Sequence, residues 1–250
     1  MRTNDAIWQL YDALLEGIPE GKTIEYTAVS ELWSLVGTAD SVGVAMTTSG
    51  DTRPPILTEG FTGSDLKRAA AALKSWNFDE AGYGGAAVNA HYNTKTRLRR
   101  LACGEPYKNY CTRGLDLEGK TVGMVGHLKT PPELFAGTRE VFILERNPQA
   151  GDYPDPACEY LLPMCDIAII TGSALVNKTL PRLLDLCRGA YVILTGPSVP
   201  MCPALLEFGI DRLAGLVLTD FAGAVRHVRD NVLGPPFTYG QTFLIGRDLP

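Results

Sequence analysis

Two rhythms of apolar residues divide the chain. Near the start, Ile7, Leu10, Tyr11, Leu14 and Leu15 recur at intervals of three and four, which puts them on one face of a helix. Thr3 or Asn4 stands where a cap belongs, and Gly17 where a left-handed residue would end the helix. TIEYTAVSELWSLVG and SVGVAMTT, rich in β-branched residues and followed by the turn SGDTRPP, predict two or three antiparallel strands. Two helical segments come next: DLKRAAAALKSW, with Ser64 as its cap, and EAGYGGAAVNAHYN, with Asp79 as its cap. Beyond residue 118 the rhythm changes. Apolar runs at 121–126, 141–145, 166–171, 191–195 and 214–218 are continuous and alternate with short helical stretches. Such runs suit strands buried on both faces of a parallel sheet.

The pattern therefore predicts an α/β protein. Residues 119–250 form a Rossmann-like, doubly wound parallel sheet, and residues 1–96 a smaller α+β N-terminal domain. Residues 97–118, with Gly104, Pro106 and Gly114, read as an irregular linker. One segment is unusual: Gly82, Gly84 and Gly85 fall inside a helix, where each costs about 1 kcal/mol relative to alanine. Either small residues pack closely against the sheet, or the backbone is left bare for a ligand near Asn89 and His91.

In an open parallel sheet, ligands bind beyond the carboxyl ends of the strands, near the point where strand order reverses. After the first strand come Gly126, His127, Leu128 and Lys129, then Thr130-Pro131-Pro132-Glu133, which reads as a capping box opening a helix. Leu128 occupies a position where a dinucleotide fold needs glycine, so NAD is disfavoured. Glu145 follows the second strand. An acid there can bond a ribose, which keeps adenosine-type ligands open alongside a surface ion pair. The third and fourth strands end in TGSALVNKT and TGPSVP. Their Thr171, Gly172, Ser173, Gly196, Pro197 and Ser198 offer hydroxyl and N–H donors to an anion, and Asn177 and Thr179 can cap the next helix.

Composition narrows the classes. Apolar residues at 45% and charged residues at 20% describe an ordinary globular chain, and a net charge of −5 without a basic face argues against nucleic acid. TKTRLRR at 94–100 reads as a solvated stretch. No run is long enough for a membrane span and no signal peptide is evident, so the expected setting is the cytoplasm, with reduced thiols. Homodimerisation is the base-rate expectation. There is no CxxC, HxxxH or HExxH spacing, and no G-x-S-x-G elbow. His127 with Glu145 and one thiol is the most credible metal-ligating set. Cys165 and Cys202, each next to a methionine, are soft donors whose commoner role is core filling.

KTVGMVGH, LERNPQAGDYPDPACEYLLPMCDIAIITGSALVNKTL and LTGPSVPMCPALLEFGIDRLAGLVLTD, taken together, resemble the heavy-metal chelation domain family over residues 119–232. YTAVSELW and GGAAVNAHYN look like that family's companion domain, which is enolase N-terminal-like. The resemblance implies an interdomain cleft that handles a small molecule or a metal complex, holding a divalent or soft transition metal. Gly126, His127, Glu145, the TGSALVNKT loop and the GPS turn match the family's recurring stretches. An alternative remains: a transferase or lyase that uses an adenosine-containing or other small anionic ligand, without metal.

Overall fold

The computed structural model describes residues 4–48, 52–57, 60–101 and 111–248. The N-terminal part begins with helix α1 (Asn4–Glu16) and a meander of β1 (Tyr26–Val29), β2 (Trp33–Gly37) and β3 (Val42–Met46). These strands pair antiparallel in the order β1-β2-β3, with Leu35 opposite both Ala28 and Val44. Helix α2 (Leu66–Ala70) runs into a 3-10 turn over 71–74, and α3 (Phe78–Tyr92) and α4 (Lys95–Arg100) follow.

Helix α3 is buried along nearly its whole length, and that explains its composition. A Cβ on Gly43 of β3 would overlap the α3 backbone at Ala86 and Ala90. A Cβ on Gly84 would overlap the backbone of Ala72 and Leu73 in the 3-10 turn. At these two contacts the backbones approach so closely that only glycine fits, and the burial gained offsets the poor helix propensity of Gly84. For Gly84, close packing is therefore the reading the structure supports.

The larger sheet contains seven strands: β4 (Thr121–Val125), β5 (Glu140–Glu145), β6 (Tyr153–Pro154), β7 (Ile167–Thr171), β8 (Tyr191–Gly196), β9 (Arg212–Leu218) and β10 (Gly240–Gly246). Helices α5 (Cys158–Leu161), α6 (Ser173–Val176), α7 (Leu180–Leu186) and α8 (Phe221–Arg229) lie between them. Spatial order is β10-β9-β8-β7-β4-β5-β6. All neighbours are parallel except β10, which runs antiparallel to β9. Every residue of β4 and β9 is buried, as continuous apolar runs require.

The two sheets share one apolar core. Leu10 and Leu14 of α1, Ala86 of α3, Val176 of α6 and Val217 of β9 belong to a single cluster. The other face of the small sheet packs Trp33 and Val44 against Leu216 and Val228. Polar bonds tie the seam. Tyr11 donates to the Leu175 carbonyl at 3.0 Å, and Trp33 Nε1 to the Gly234 carbonyl at 2.8 Å. Asn93 donates to the carbonyls of Val199 and Leu216 and accepts from the Met201 amide. Arg212, only 1% exposed, donates to the carbonyls of Cys111 and Arg113 and pairs with Asp248.

Several local expectations need correction. Asp65, not Ser64, caps α2, accepting from the amides of Lys67 and Arg68. Asn77, not Asp79, caps α3, accepting from the Glu80 amide. In both cases the competing residue one or two positions away has the same capping chemistry, and the path of the loop decides. The left-handed glycine near α1 is Gly21; a Cβ on Gly17 would instead overlap the hydroxyl of Tyr92. α4 occupies the start of the stretch expected to be irregular. Thr3, Cys103, Gly104 and Pro106 lie outside the described residues. Among the described residues, no helix is long and apolar enough to cross a membrane.

Candidate functional site

Chain order reverses between β4 and β7: β5 and β6 lie to one side of β4, and β7, β8 and β9 to the other. The loops leaving β4 and β7 at their carboxyl ends therefore flank the crevice where such sheets bind ligands. Gly126 leaves β4 with φ +96°, a conformation that favours glycine, and a Cβ there would stand 3.1 Å from Cβ of Thr171. Across the same point, the Thr171 and Ser173 hydroxyls are 3.1 Å apart. Gly172 sits against the next loop, where a Cβ would lie 2.8 Å from the Val199 amide nitrogen.

Glu145 ends β5 and holds the β4 loop in place. Its Oε2 accepts from the His127 amide at 2.8 Å, and its Oε1 accepts from the amides of Arg146 (2.7 Å) and Asn147 (3.3 Å). The carboxylate is thus engaged by three backbone donors, which leaves little of it for a ribose or a metal. The imidazole of His127 has a different partner. Its Nδ1 lies 2.9 Å from Oδ2 of Asp152, which also accepts from the Gln149 amide. The Gln149 amide and then the His127 imidazole hold the Asp152 carboxyl below its usual range. Sequence reading passed over Asp152. The available signal was an acid in the glycine turn AGDY, seven residues beyond Glu145, on the same strand-end loop.

The capping box at 130–133 does not form. Pro132–Phe135 is a 3-10 turn, with Pro131 before it at φ −68° and ψ 141° and no side-chain cap bond. Consecutive prolines keep the preceding residues extended, so no α-helix starts here. The loop offers no helix N-terminus to an anion.

The remaining candidates form a separate group. Asn89 donates to the carbonyls of Val44 (2.8 Å) and Pro197 (3.3 Å), and the Ser198 hydroxyl accepts from the Met46 amide at 2.8 Å. The bonds at Pro197 and Ser198 pin the loop after β8, which turns at Gly196 with φ +114°, to α3 and β3. Oδ1 of Asn89 is buried with no partner. Asn177 and Thr179 lie farther along, past α6. Asn177 Oδ1 accepts from the Thr179 amide and hydroxyl, and the Thr179 side chain makes no cap bond to α7. The structure thus brings Gly126, His127, Glu145, Thr171, Gly172 and Ser173 together at the crevice. Asn89, Pro197 and Ser198 stand at the seam between the sheets, and Asn177 and Thr179 in a turn of their own.

Among the described residues, no group of three or more His, Cys, Asp or Glu side chains is arranged to hold a metal ion. The thiols do not help. Cys111, Cys158, Cys165, Cys187 and Cys202 are all buried. Burial pushes Cys165 up to about 11 and both Cys158 and Cys187 up to about 12, so they stay protonated and are poor ligands near neutral pH. Of the chain's three histidines, His91 and His227 are 7% and 6% exposed. His127, with a side chain 35% exposed, is the imidazole solvent can reach. Among the described residues, a bare ion would find one reachable histidine and no cage. A cavity of about 780 Å³ lies elsewhere, against α2 and the 3-10 turn. The acid lining it, Glu80, is already bound by the amides of Ile56 and Leu57 and the hydroxyl of Ser75.

A family model described as "Putative heavy-metal chelation" matches residues 114–243, over half of the chain. The chain belongs to this family. A second model with the same description matches residues 11–92. The crystal structure of a heavy-metal chelation family member of unknown function from Desulfitobacterium hafniense DCB-2 is 35% identical, with a TM-score of 0.86 over 98% of this chain and 100% of that one. A second member of unknown function, from Pyrococcus horikoshii, shares the fold at 22% identity and a TM-score of 0.79, over 96% of this chain and 99% of its own. An uncharacterized protein of Methanocaldococcus jannaschii is 34% identical over 96 residues, which span 36% of this chain and 37% of that relative.

Proposed function

We propose that the chain binds a small anionic molecule in the crevice between the β4 and β7 loops, and that a heavy metal enters this site as a complex of that molecule. The reading is carried by one arrangement: Gly126 against Thr171 at the reversal of strand order, with the neighbouring His127 held through Nδ1 by Asp152. Fixing Nδ1 leaves Nε2 as the donor atom, the arrangement by which outer partners orient a ligating histidine. The hydroxyls of Thr171 and Ser173 would take carboxylate oxygens of the complex. Glu145 positions the loop. A protein that supplies one nitrogen and two hydroxyls suits a metal whose other ligands arrive with it, which reconciles the family description with the lack of a cage among the described residues. Asn89, Ser198 and Gly196 support the neighbouring loop in this reading.

Calorimetric titration with the copper(II)–iminodiacetate complex tests it, on protein lacking a histidine tag. The complex should bind at one to one, at least tenfold more tightly than copper-free iminodiacetate. Affinity should fall at least tenfold in His127→Ala, and also in Thr171→Val, which leaves the imidazole untouched. An unchanged affinity in Thr171→Val would mean that the complex merely decorates a surface histidine. Tight binding of iminodiacetate alone would favour a metal-free organic ligand, the second reading.

A further inference from the structure

The cavity against α2 is walled by a strap of chain that is anchored through its backbone and not through its apolar side chains. Residues 52–57, with Pro54 and Pro55 at their centre, form neither helix nor strand. The Thr52 hydroxyl donates to the Trp76 carbonyl and accepts from the Phe78 amide, and Asn77 donates to the Arg53 carbonyl at 2.7 Å. Oε1 of Glu80 accepts from the amides of Ile56 and Leu57. These bonds hold the strap across the start of α3, yet the side chains of Ile56 and Leu57 stay 65% and 42% exposed. With Phe61, whose ring packs on Tyr83, they form the apolar wall of the cavity of about 780 Å³. That volume lies in the range of small-molecule pockets, roughly 300–1,000 Å³.

The opposite wall carries the charge. Arg68 of α2 and Lys74 of the 3-10 turn both line the cavity. Lys74 is committed, since it pairs with Asp12 and its Nζ stands 5.6 Å from the ring centroid of Trp8. Arg68 is not. Among the described residues, the neighbouring acids are engaged elsewhere: Asp65 by the amides of Gly21, Lys67 and Arg68, Asp12 by Lys74, and Glu80 by the strap and the Ser75 hydroxyl. Both oxygens of Glu80 are taken, so an amine entering the cavity meets no free acceptor there, while a doubly charged anion would feel the Glu80 charge. One uncommitted guanidinium beside an apolar wall fits a single negative charge.

We propose that this cavity is a second ligand site, for a monoanionic molecule with an apolar body: a carboxylate on a hydrocarbon chain or ring. Arg68 takes the carboxylate through parallel N–H donors, and Ile56, Leu57 and Phe61 cover the hydrocarbon. No residue of the crevice lines this cavity, so the site stands apart from whatever the crevice holds.

The experiment is a titration of the ¹⁵N-labelled full chain with decanoate, kept below the concentration at which it forms micelles, followed through the amide resonances. Decanol and decylamine serve as the neutral and cationic counterparts. Decanoate should shift the amides of Phe61, Gly63, Ser64 and Ala72 saturably, and should bind about threefold or more tightly than either counterpart, the scale of a partly solvated arginine–carboxylate pair. Arg68→Gln, on the exposed face of α2, should remove that preference and leave decanol binding unchanged. Ala71→Trp places a ring in the cavity and should abolish the shifts from decanoate and decanol alike. The same spectra report whether each variant is folded. Shifts that scatter over other apolar surface such as Leu233 and Phe237, a preference under threefold, or decanoate affinity unchanged in Arg68→Gln overturns the proposal. Decanoate shifts lost in His127→Ala would place the anion in the crevice and overturn it as well.

Discussion

Replacing His91 with glutamine should remove one component, about 3 kcal/mol, of the acid sensitivity that the wild-type chain shows between pH 6.5 and 4. His91 lies in the last turn of α3, 7% exposed, and its Nε2 has no partner. Burial foremost, then the charges of Arg97 and Lys22, push its pKa down to about 4, against a smaller opposing effect of a hydrogen bond with the Gly17 backbone. The unfolded chain has no such constraint and takes up the proton near pH 6.5. A depressed histidine value means that the unfolded state binds more protons across this window. Stability is therefore complete above pH 6.5 and declines as pH falls toward 4, below which this group adds no further loss. At about 1.4 kcal/mol per pH unit the full loss is about 3 kcal/mol, of which about 2 kcal/mol is gone by pH 5. Urea denaturation of wild type and His91→Gln at half-unit steps from pH 7.5 to 4.5 isolates the effect, because every other titrating group is common to both. The variant starts less stable through altered packing, so the comparison is of slopes. Curves parallel to within about 0.5 kcal/mol would show that His91 accepts its proton in the folded state at an ordinary pH, and would refute the reasoning.

Three further substitutions probe the seam and the sheet. Arg212→Met strands the Cys111 and Arg113 carbonyls and should cost about 3 kcal/mol in urea denaturation, at the lower end for a buried pair because Asp248 reaches solvent; a loss under about 1 kcal/mol contradicts the burial argument. Gly43→Ala drives a methyl into the backbone of α3 at Ala86 and Ala90 and should cost about 3 kcal/mol or more, read as a fall in Tm; a neutral result would mean that α3 can back away. Asn93→Ala leaves two carbonyls and the Met201 amide without a partner, and should cost about 3 kcal/mol with faster amide exchange at Met201, whereas unchanged exchange would show that water replaces the side chain.

Much of this fold was legible because periodicity reports burial. The continuous runs at 121–126, 166–171 and 191–195 became central parallel strands, since burial on both faces leaves no polar alternation to read. β10 escaped notice for the opposite reason. GQTFLIG is an edge strand with glycine at both ends and only Phe243 and Leu244 buried, so its pattern resembles a loop. β6, two residues long and ending in proline, has no pattern to find. The caps were misplaced because Ser64 and Asp65, or Asn77 and Asp79, offer the same chemistry, and only tertiary contacts choose between them. At the crevice, the strand-end residues were found because topology dictates where they lie. The role of Glu145 was less visible, since sequence shows a carboxylate but not the three amides that fill it. Asp152 was missed because an acid in a glycine turn marks a strand-end loop but does not say which side chain it will meet.

The claim that a metal arrives already complexed and meets the chain through one nitrogen is tested most directly by electron paramagnetic resonance. Copper(II)–iminodiacetate would be added at one equivalent to untagged wild type, His127→Ala and Thr171→Val. The account predicts a signal from a single coordinated imidazole in wild type, its loss in His127→Ala, and a weakly populated version of it in Thr171→Val. Coordination by two or more protein nitrogens or by sulfur, or a spectrum unchanged in His127→Ala, would contradict it.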